Sequence, residues 1–131
     1  MKKLTEHDVV INEIIHSVAL SCNTTADYIQ SDCRKRYLAS YPRMLCFLFA
    51  KVYTKRKVSE IGYLVSGKDH TTVIHGIKTM VSMLVNEDMA VMEMFNSCRI
   101  RLTVGNTARI IQLQNGLELL KRKYYGTIKK T

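Results

Sequence analysis

The sequence predicts an all-α fold: a compact domain of about six helices, followed by a C-terminal extension. Three observations carry this expectation. Apolar residues recur at intervals of three and four along most of the chain, the period of a helix with one buried face. One proline and six glycines in 131 residues are too few for the turns of an all-β protein. A hydrophobic content of 47% is enough to fill the core of a single domain of this length.

Residues 5–22 read as the first helix, because Ile11, Ile14, Ile15 and Val18 form one stripe. Thr5, with Asp8 three residues on, resembles a weak cap. Asn23, Thr24 and Thr25 break this helix, and a short second one follows near residues 25–30, with Tyr28 and Ile29 facing inward. A third helix is expected over 43–54. Pro42 suits its start, since the missing N–H costs nothing in a first turn. Apolar residues surround nearly all of its circumference, so it should be central, except on the side carrying Arg43, Lys51 and Lys55.

A fourth helix, near 59–65, buries Val58, Ile61 and Val65, and ends at a Ser66-Gly67 break. The fifth begins at Asp69, whose carboxylate can accept backbone N–H groups of the first turn. Val73, Ile77, Met80 and Leu84 line one side of it; Thr71, His75, Lys78 and Ser82 line the other. Asn86 is expected to cap a sixth helix reaching Cys98, with Met89, Met92 and Phe95 inward. These elements make a domain over 1–98, and residues 99–131 make the extension.

In the extension, Arg99 to Val104 alternates polar and apolar residues, as a short strand would, and Gly105-Asn106 is a turn. Ile110, Leu113, Leu117, Leu120 and Tyr124 then run as a seam of two heptads. That seam either docks on its own domain or forms a homodimer through 110–124. Gly116 weakens the helix by about 1 kcal/mol relative to alanine. The tail from Lys121 to Thr131 is basic and reads as loose.

Several function classes are disfavoured. The four cysteines, at 22, 33, 46 and 98, show no C-x-x-C spacing, so reduced thiols are expected and no metal site. His70 and His75 are five residues apart and do not share a helix face as a metal pair would. The N-terminus has no apolar signal core, and the longest purely apolar run, Met44 to Ala50, is seven residues; no membrane association and a cytoplasmic, nucleoid-associated location are expected. No paired carboxylates or nucleophile–base pair are visible, so no catalytic residue is assigned and the chain reads as a non-enzyme. No G-x-x-x-x-G-K-[ST] loop occurs, so neither nucleotide nor cofactor is expected.

Two features point instead to double-stranded DNA. The net charge is +9, from twenty Lys and Arg against eleven Asp and Glu. Between Asp32 and Glu60 there is no acidic residue at all, while Arg34, Lys35, Arg36, Arg43, Lys51, Lys55, Arg56 and Lys57 fall in that stretch. Such a run has no compensating carboxylates and suits a polyanion. Second, the short helix 59–65, the break, and the amphipathic helix from 69 have helix-turn-helix proportions. The second helix of such a pair enters the major groove with its first residues at base edges. Here those are Lys68, Asp69, His70, Thr71 and Thr72. An aspartate can accept from a cytosine amino group, a threonine offers a hydroxyl and a methyl, and a histidine can donate or accept at a purine edge.

The string Gly67-Lys68-Asp69-His70-Thr71-Thr72-Val73-Ile74-His75 closely resembles the signature of the C-terminal DNA-binding domain of the bacterial replication initiator DnaA. Val58-Ser59-Glu60-Ile61-Gly62, Pro42-Arg43 with the helix after it, and the cluster Arg34–Arg36 resemble other parts of that family in the same order, over roughly residues 8–100. The resemblance implies a DnaA C-terminal or Trp-repressor-like helical arrangement, in which Asp69, His70 and Thr71 read bases. It further implies that Thr72 supports them, that Arg43 and Lys51 meet phosphates, and that the loop 34–36 reaches a minor groove. Lys55, Arg56, Lys57, Ser59 and Lys78 complete the expected phosphate or groove contacts. Lys35 stands where the family has an arginine, and Ser59 where a proline is common. The expected function is sequence-specific binding at initiator-type sites, without ATPase activity, in replication initiation or its regulation. A transcriptional regulator, or an interaction module assembling through 99–131, is the alternative.

Overall fold

The computed structural model describes residues 6–126, which form seven α-helices and no strand. Helix α1, Glu6–Ser21, runs one residue inside each expected end and buries Ile11, Ile14, Ile15 and Val18 as its spacing predicts. Thr5, the expected cap, lies outside the described residues, as do 127–131 of the basic tail. Helix α2, Ala26–Gln30, is capped by Thr25, whose hydroxyl accepts from the Tyr28 N–H at 3.2 Å. Its inward residue is Ile29; Tyr28, also expected inward, is exposed.

A five-residue π-helical turn, Arg36–Ser40, leads into α3, Tyr41–Tyr53, with Pro42 in the first turn. Helix α3 is central. Leu45, Cys46, Phe47, Leu48, Phe49 and Ala50 are all buried, and the helix packs against α1, α2, α4, α5 and α7. Phe49 stacks on Phe95 of α6 with ring centroids 5.3 Å apart, so α3 touches that helix too. A helix apolar on all sides has no stable place except the middle of the molecule.

Helix α4, Val58–Ser66, and α5, His70–Val85, follow as the sequence predicts. Val73, Ile77 and Met80 of α5 are fully buried, and Gly76 lets its backbone approach α3: an added Cβ there would lie 3.0 Å from the Phe47 ring.

The C-terminal third departs from expectation. Helix α6, Met89–Thr103, is capped by Asp88, which accepts from the Val91 N–H at 3.0 Å; Asn86 instead closes the end of α5. Met89, expected inward, is 84% exposed, because a cap at 88 turns the first helical residue to solvent. Residues 99–104 are not a strand: α6 continues through them to Thr103, crossing the expected boundary at 98. Their alternation arises because Leu102 is buried while Ile100 and Val104 are exposed on the outer side.

Helix α7, Thr107–Tyr125, packs on α3, α5 and α6. It makes Lys121 to Tyr125 helical, where the sequence suggested a loose tail. Leu113 and Leu120 are buried and Leu117 half-buried, so the seam is used within the chain, while Ile110 drops out of it, 43% exposed. Gly116 has a role that propensity does not reveal: a Cβ there would stand 3.0 Å from the Val52 side chain, so its absence lets α7 lie close on α3. Arg109 fixes the start of α7. Its guanidinium donates to both Glu13 carboxylate oxygens at 2.7 Å and to the Leu102 carbonyl at 3.0 Å, and lies 5.6 Å from the Tyr53 ring centre.

Candidate nucleic-acid interface

The turn between α4 and α5 is built by two glycines. Gly67 adopts φ +65°, a left-handed conformation that glycine takes without Cβ strain, and ends α4 with its N–H on the Tyr63 carbonyl. Lys68 then donates its N–H to the Gly62 carbonyl at 3.0 Å. This folds the chain so tightly on α4 that a Cβ at Gly62 would lie 2.2 Å from the Lys68 carbonyl oxygen. The direction in which α5 leaves the turn is therefore set by backbone contact.

Asp69 is the N-cap of α5, its carboxylate accepting from the Thr72 N–H at 3.0 Å. Hydrogen bonds from Thr72, backbone first, hold the Asp69 carboxyl below the usual carboxylate range, so it is ionised at neutral pH. His70, Thr71 and Thr72 are exposed on the first turn, and His75 on the second. Behind them Val73 and Ile77 anchor the helix in the core. The leading end of α5 thus presents polar side chains outward on a rigid support, and its remaining N-terminal amides point the same way.

The cations of the basic run fall into groups. Arg34, Lys35 and Arg36 are exposed where the chain enters the π-helical turn. They adjoin the α5 end through Asp32, whose carboxylate pairs with the Lys68 ammonium across 36 residues of sequence. Lys51, Lys55, Arg56 and Lys57 lie at the α3–α4 connection. Lys55 and Lys57 are exposed, Lys51 is half-buried in the last turn of α3, and Arg56 pairs with Glu60 at 3.3 Å. Glu60 also accepts the Lys57 N–H at 3.0 Å, and that backbone bond is the chief reason its carboxyl is held down. Ser59 is exposed in the first turn of α4.

Arg43 has a different task from the phosphate contact expected of it. It is 8% exposed, and its guanidinium donates to the carbonyls of Ile29 (2.7 Å), Tyr28 (3.2 Å), Ser31 (2.7 Å) and Cys33 (3.0 Å). The fork of N–H donors gathers the end of α2 and the loop after it, leaving no outward face for DNA. Lys78 is also set apart. It lies about 12 Å along α5 from His70 at 1.5 Å per residue, with its ammonium 5.7 Å from the ring centre of Tyr124 on α7.

Two residues near the site gave no sequence signal. Asp32 reads as the last acid before a basic run, and only the fold brings it to Lys68. Tyr63, 77% exposed on α4, falls off the apolar stripe of that helix and so passes as an ordinary surface residue. Among the described residues no cluster of three or more His, Cys, Asp or Glu could hold a metal, and no helix is long and apolar enough to cross a membrane. The four thiols are unpaired as disulfides: Cys46 and Cys98 are buried, Cys22 and Cys33 half-buried.

Comparison with known proteins agrees with this geometry. The family described as "Bacterial dnaA protein helix-turn-helix" matches residues 11–80, from α1 into the middle of α5. Similar curated proteins include the chromosomal replication initiator protein DnaA of Wolbachia pipientis wMel, 41% identical over 70 residues, which are 53% of this chain and 15% of that one. The protein of the same name from Flavobacterium psychrophilum is 32% identical over 85 residues, 65% of this chain and 18% of the relative. That from Gloeobacter violaceus is 33% identical over 73 residues, 56% and 16% respectively. The chain thus spans less than a fifth of the length of these relatives. No solved structure is significantly similar to it. With the match covering more than half of its length and all of the turn that aims α5, the chain belongs to the bacterial DnaA helix-turn-helix family.

Proposed function

We propose that this chain binds double-stranded DNA sequence-specifically at sites of replication-initiator type. The leading end of α5 lies in the major groove, with Asp69, His70 and Thr71 at base edges and Thr72 supporting them. Lys51, Lys55, Lys57 and Ser59 meet phosphates on one side of it, and Arg34, Lys35 and Arg36 approach the adjacent minor groove on the other. The observation that carries this reading is the exposed run Asp69 to Thr72 at the capped start of α5, joined through the Asp32–Lys68 pair to the loop that carries the exposed cations Arg34, Lys35 and Arg36. The names of the relatives, chromosomal replication initiator proteins, support a role in initiation or its regulation. Within these residues there is no phosphate-binding loop, so the chain reads sites in the nucleoid without hydrolysing ATP.

Selection of bound sequences from a random duplex pool tests this. The wild-type chain enriches one site and prefers it to scrambled duplex by at least ~10³. His70→Ala with Thr71→Ala abolishes that preference, whereas Lys51→Ala weakens all duplexes alike. A double variant that enriches the wild-type site refutes the assignment of those residues. Should two copies pair through 110–124, they use Ile110, Ile111 and Leu119, the exposed apolar residues of that span. Light scattering of the wild-type chain and of Ile111→Asp with Leu119→Asp reads this directly.

A further inference from the structure

We propose that Asp32 is a built-in competitor for DNA at the leading end of α5: its carboxylate holds Lys68 in the free protein, and a backbone phosphate takes its place in the complex. This inference rests on the reading above and adds a control to the same site. The pair joins two segments that both face the proposed duplex, the loop that continues into Arg34–Arg36 and the turn that starts α5.

Both partners are held from behind. The Asp32 backbone sits between two carbonyls gripped by the same nitrogen of Arg43, those of Ser31 at 2.7 Å and Cys33 at 3.0 Å, and the Cys33 N–H donates to the Ser31 hydroxyl at 3.1 Å. The Lys68 backbone is fixed by its N–H on the Gly62 carbonyl. The side chains differ in access: that of Lys68 is 25% exposed and that of Asp32 92%. An incoming phosphate therefore meets an ammonium on a fixed stem, already neutralised by a carboxylate that solvent reaches freely. The Asp32 carboxyl is held below its usual range, first by the hydrogen bond from Lys68. So exposed a pair is weak, which suits a contact that a phosphate replaces. Its displacement lowers affinity by a modest factor and does not block binding.

The test is a double-mutant cycle on the free chain, using the duplex that pool selection yields, with affinity measured by fluorescence anisotropy across a range of salt. Asp32→Asn tightens binding about threefold and steepens the log–log salt slope by about one, since Lys68 then meets DNA with its charge uncompensated. In a Lys68→Met background Asp32→Asn has only the smaller effect of Asp27→Asn, a control at an exposed acid on α2. Equal gains in both backgrounds would reduce Asp32 to a diffuse repulsive charge and overturn the proposal. Weaker binding by Asp32→Asn would also overturn it, making Asp32 a support that positions Lys68. The ion pair has its own readout without DNA: the NMR titration of the Asp32 carboxyl moves up in Lys68→Met, and an unmoved titration shows that the pair does not form. Failure of the parent reading looks different, since the wild-type chain would then show no preference for any duplex.

Discussion

Arg43 shows what a basic run conceals. Eight cations in a stretch without acids read as one surface, yet this one is turned inward onto four carbonyls. Nothing in Pro42-Arg43 distinguishes an arginine that binds a phosphate from one that binds main chain, because both are met by the same fork of donors. The consequence separates the two roles. Arg43→Met lowers folding stability by about 2–3 kcal/mol, the worth of a hydrogen-bonded charge and the acceptors it leaves, and Arg43→Lys does not restore it, since an ammonium lacks the planar fork. Lys51→Ala leaves stability within about 0.5 kcal/mol and acts only on DNA affinity. Denaturant unfolding of the two variants checks this. Equal stability of Arg43→Met and wild type would return Arg43 to the surface. The exposed, capped start of α5, Asp69 to Thr72, was legible because a capping residue, a polar outer face and a buried stripe all coincide at one helix start.

At the scale of elements, strong periodicity located α1, α3, α4 and α5 to within two residues. It failed where caps and chain ends decide. A two-residue shift of the α6 cap, from 86 to 88, exposed Met89, and the end of α6 mimicked a strand because the buried Leu102 lies between the exposed Ile100 and Val104. Glycines matter for a similar reason, since close approach leaves no mark on a single sequence. Gly62→Ala drives a Cβ into the Lys68 carbonyl. We expect that variant to lose both thermal stability and site preference, while Gly116→Ala loses stability at the α3–α7 contact and keeps the preference. Circular dichroism melts with binding assays separate them.

Helix α7 also carries a pH dependence. Glu13 is held below its usual value of 4.5, chiefly by its hydrogen bond to Arg109. A depressed carboxylate stabilises the fold at pH above the usual value, and that contribution is lost as pH falls through the depressed one. Protection of the α7 amides, taken relative to the intrinsic exchange rate at each pH, should therefore fall as the solution is acidified below about pH 4.5, and Glu13→Gln should abolish the change. An unchanged acid response in that variant would place the titrating group elsewhere.

For the whole molecule, the +9 charge is an inventory that the fold sorts into roles. Arg43 and Arg109 are spent on internal carbonyls and a carboxylate, Arg56 pairs with Glu60, and Lys78 sits beside α7. If Arg34, Lys35, Arg36, Lys51, Lys55 and Lys57 meet phosphates as proposed, about six contacts give a log–log salt slope near −5. A slope beyond about −8 would bring the remaining basic surface into the complex. In the proposed complex the first turn of α5 faces base edges in the wide groove. Methylation interference on the selected duplex tests it most directly, because dimethyl sulfate marks guanine N7 in the major groove and adenine N3 in the minor groove. The expected result is a block of binding at guanine N7 positions within the core of the site, with any adenine N3 interference confined to its flank. Interference at adenine N3 alone, or at neither, would place the first turn of α5 outside the major groove.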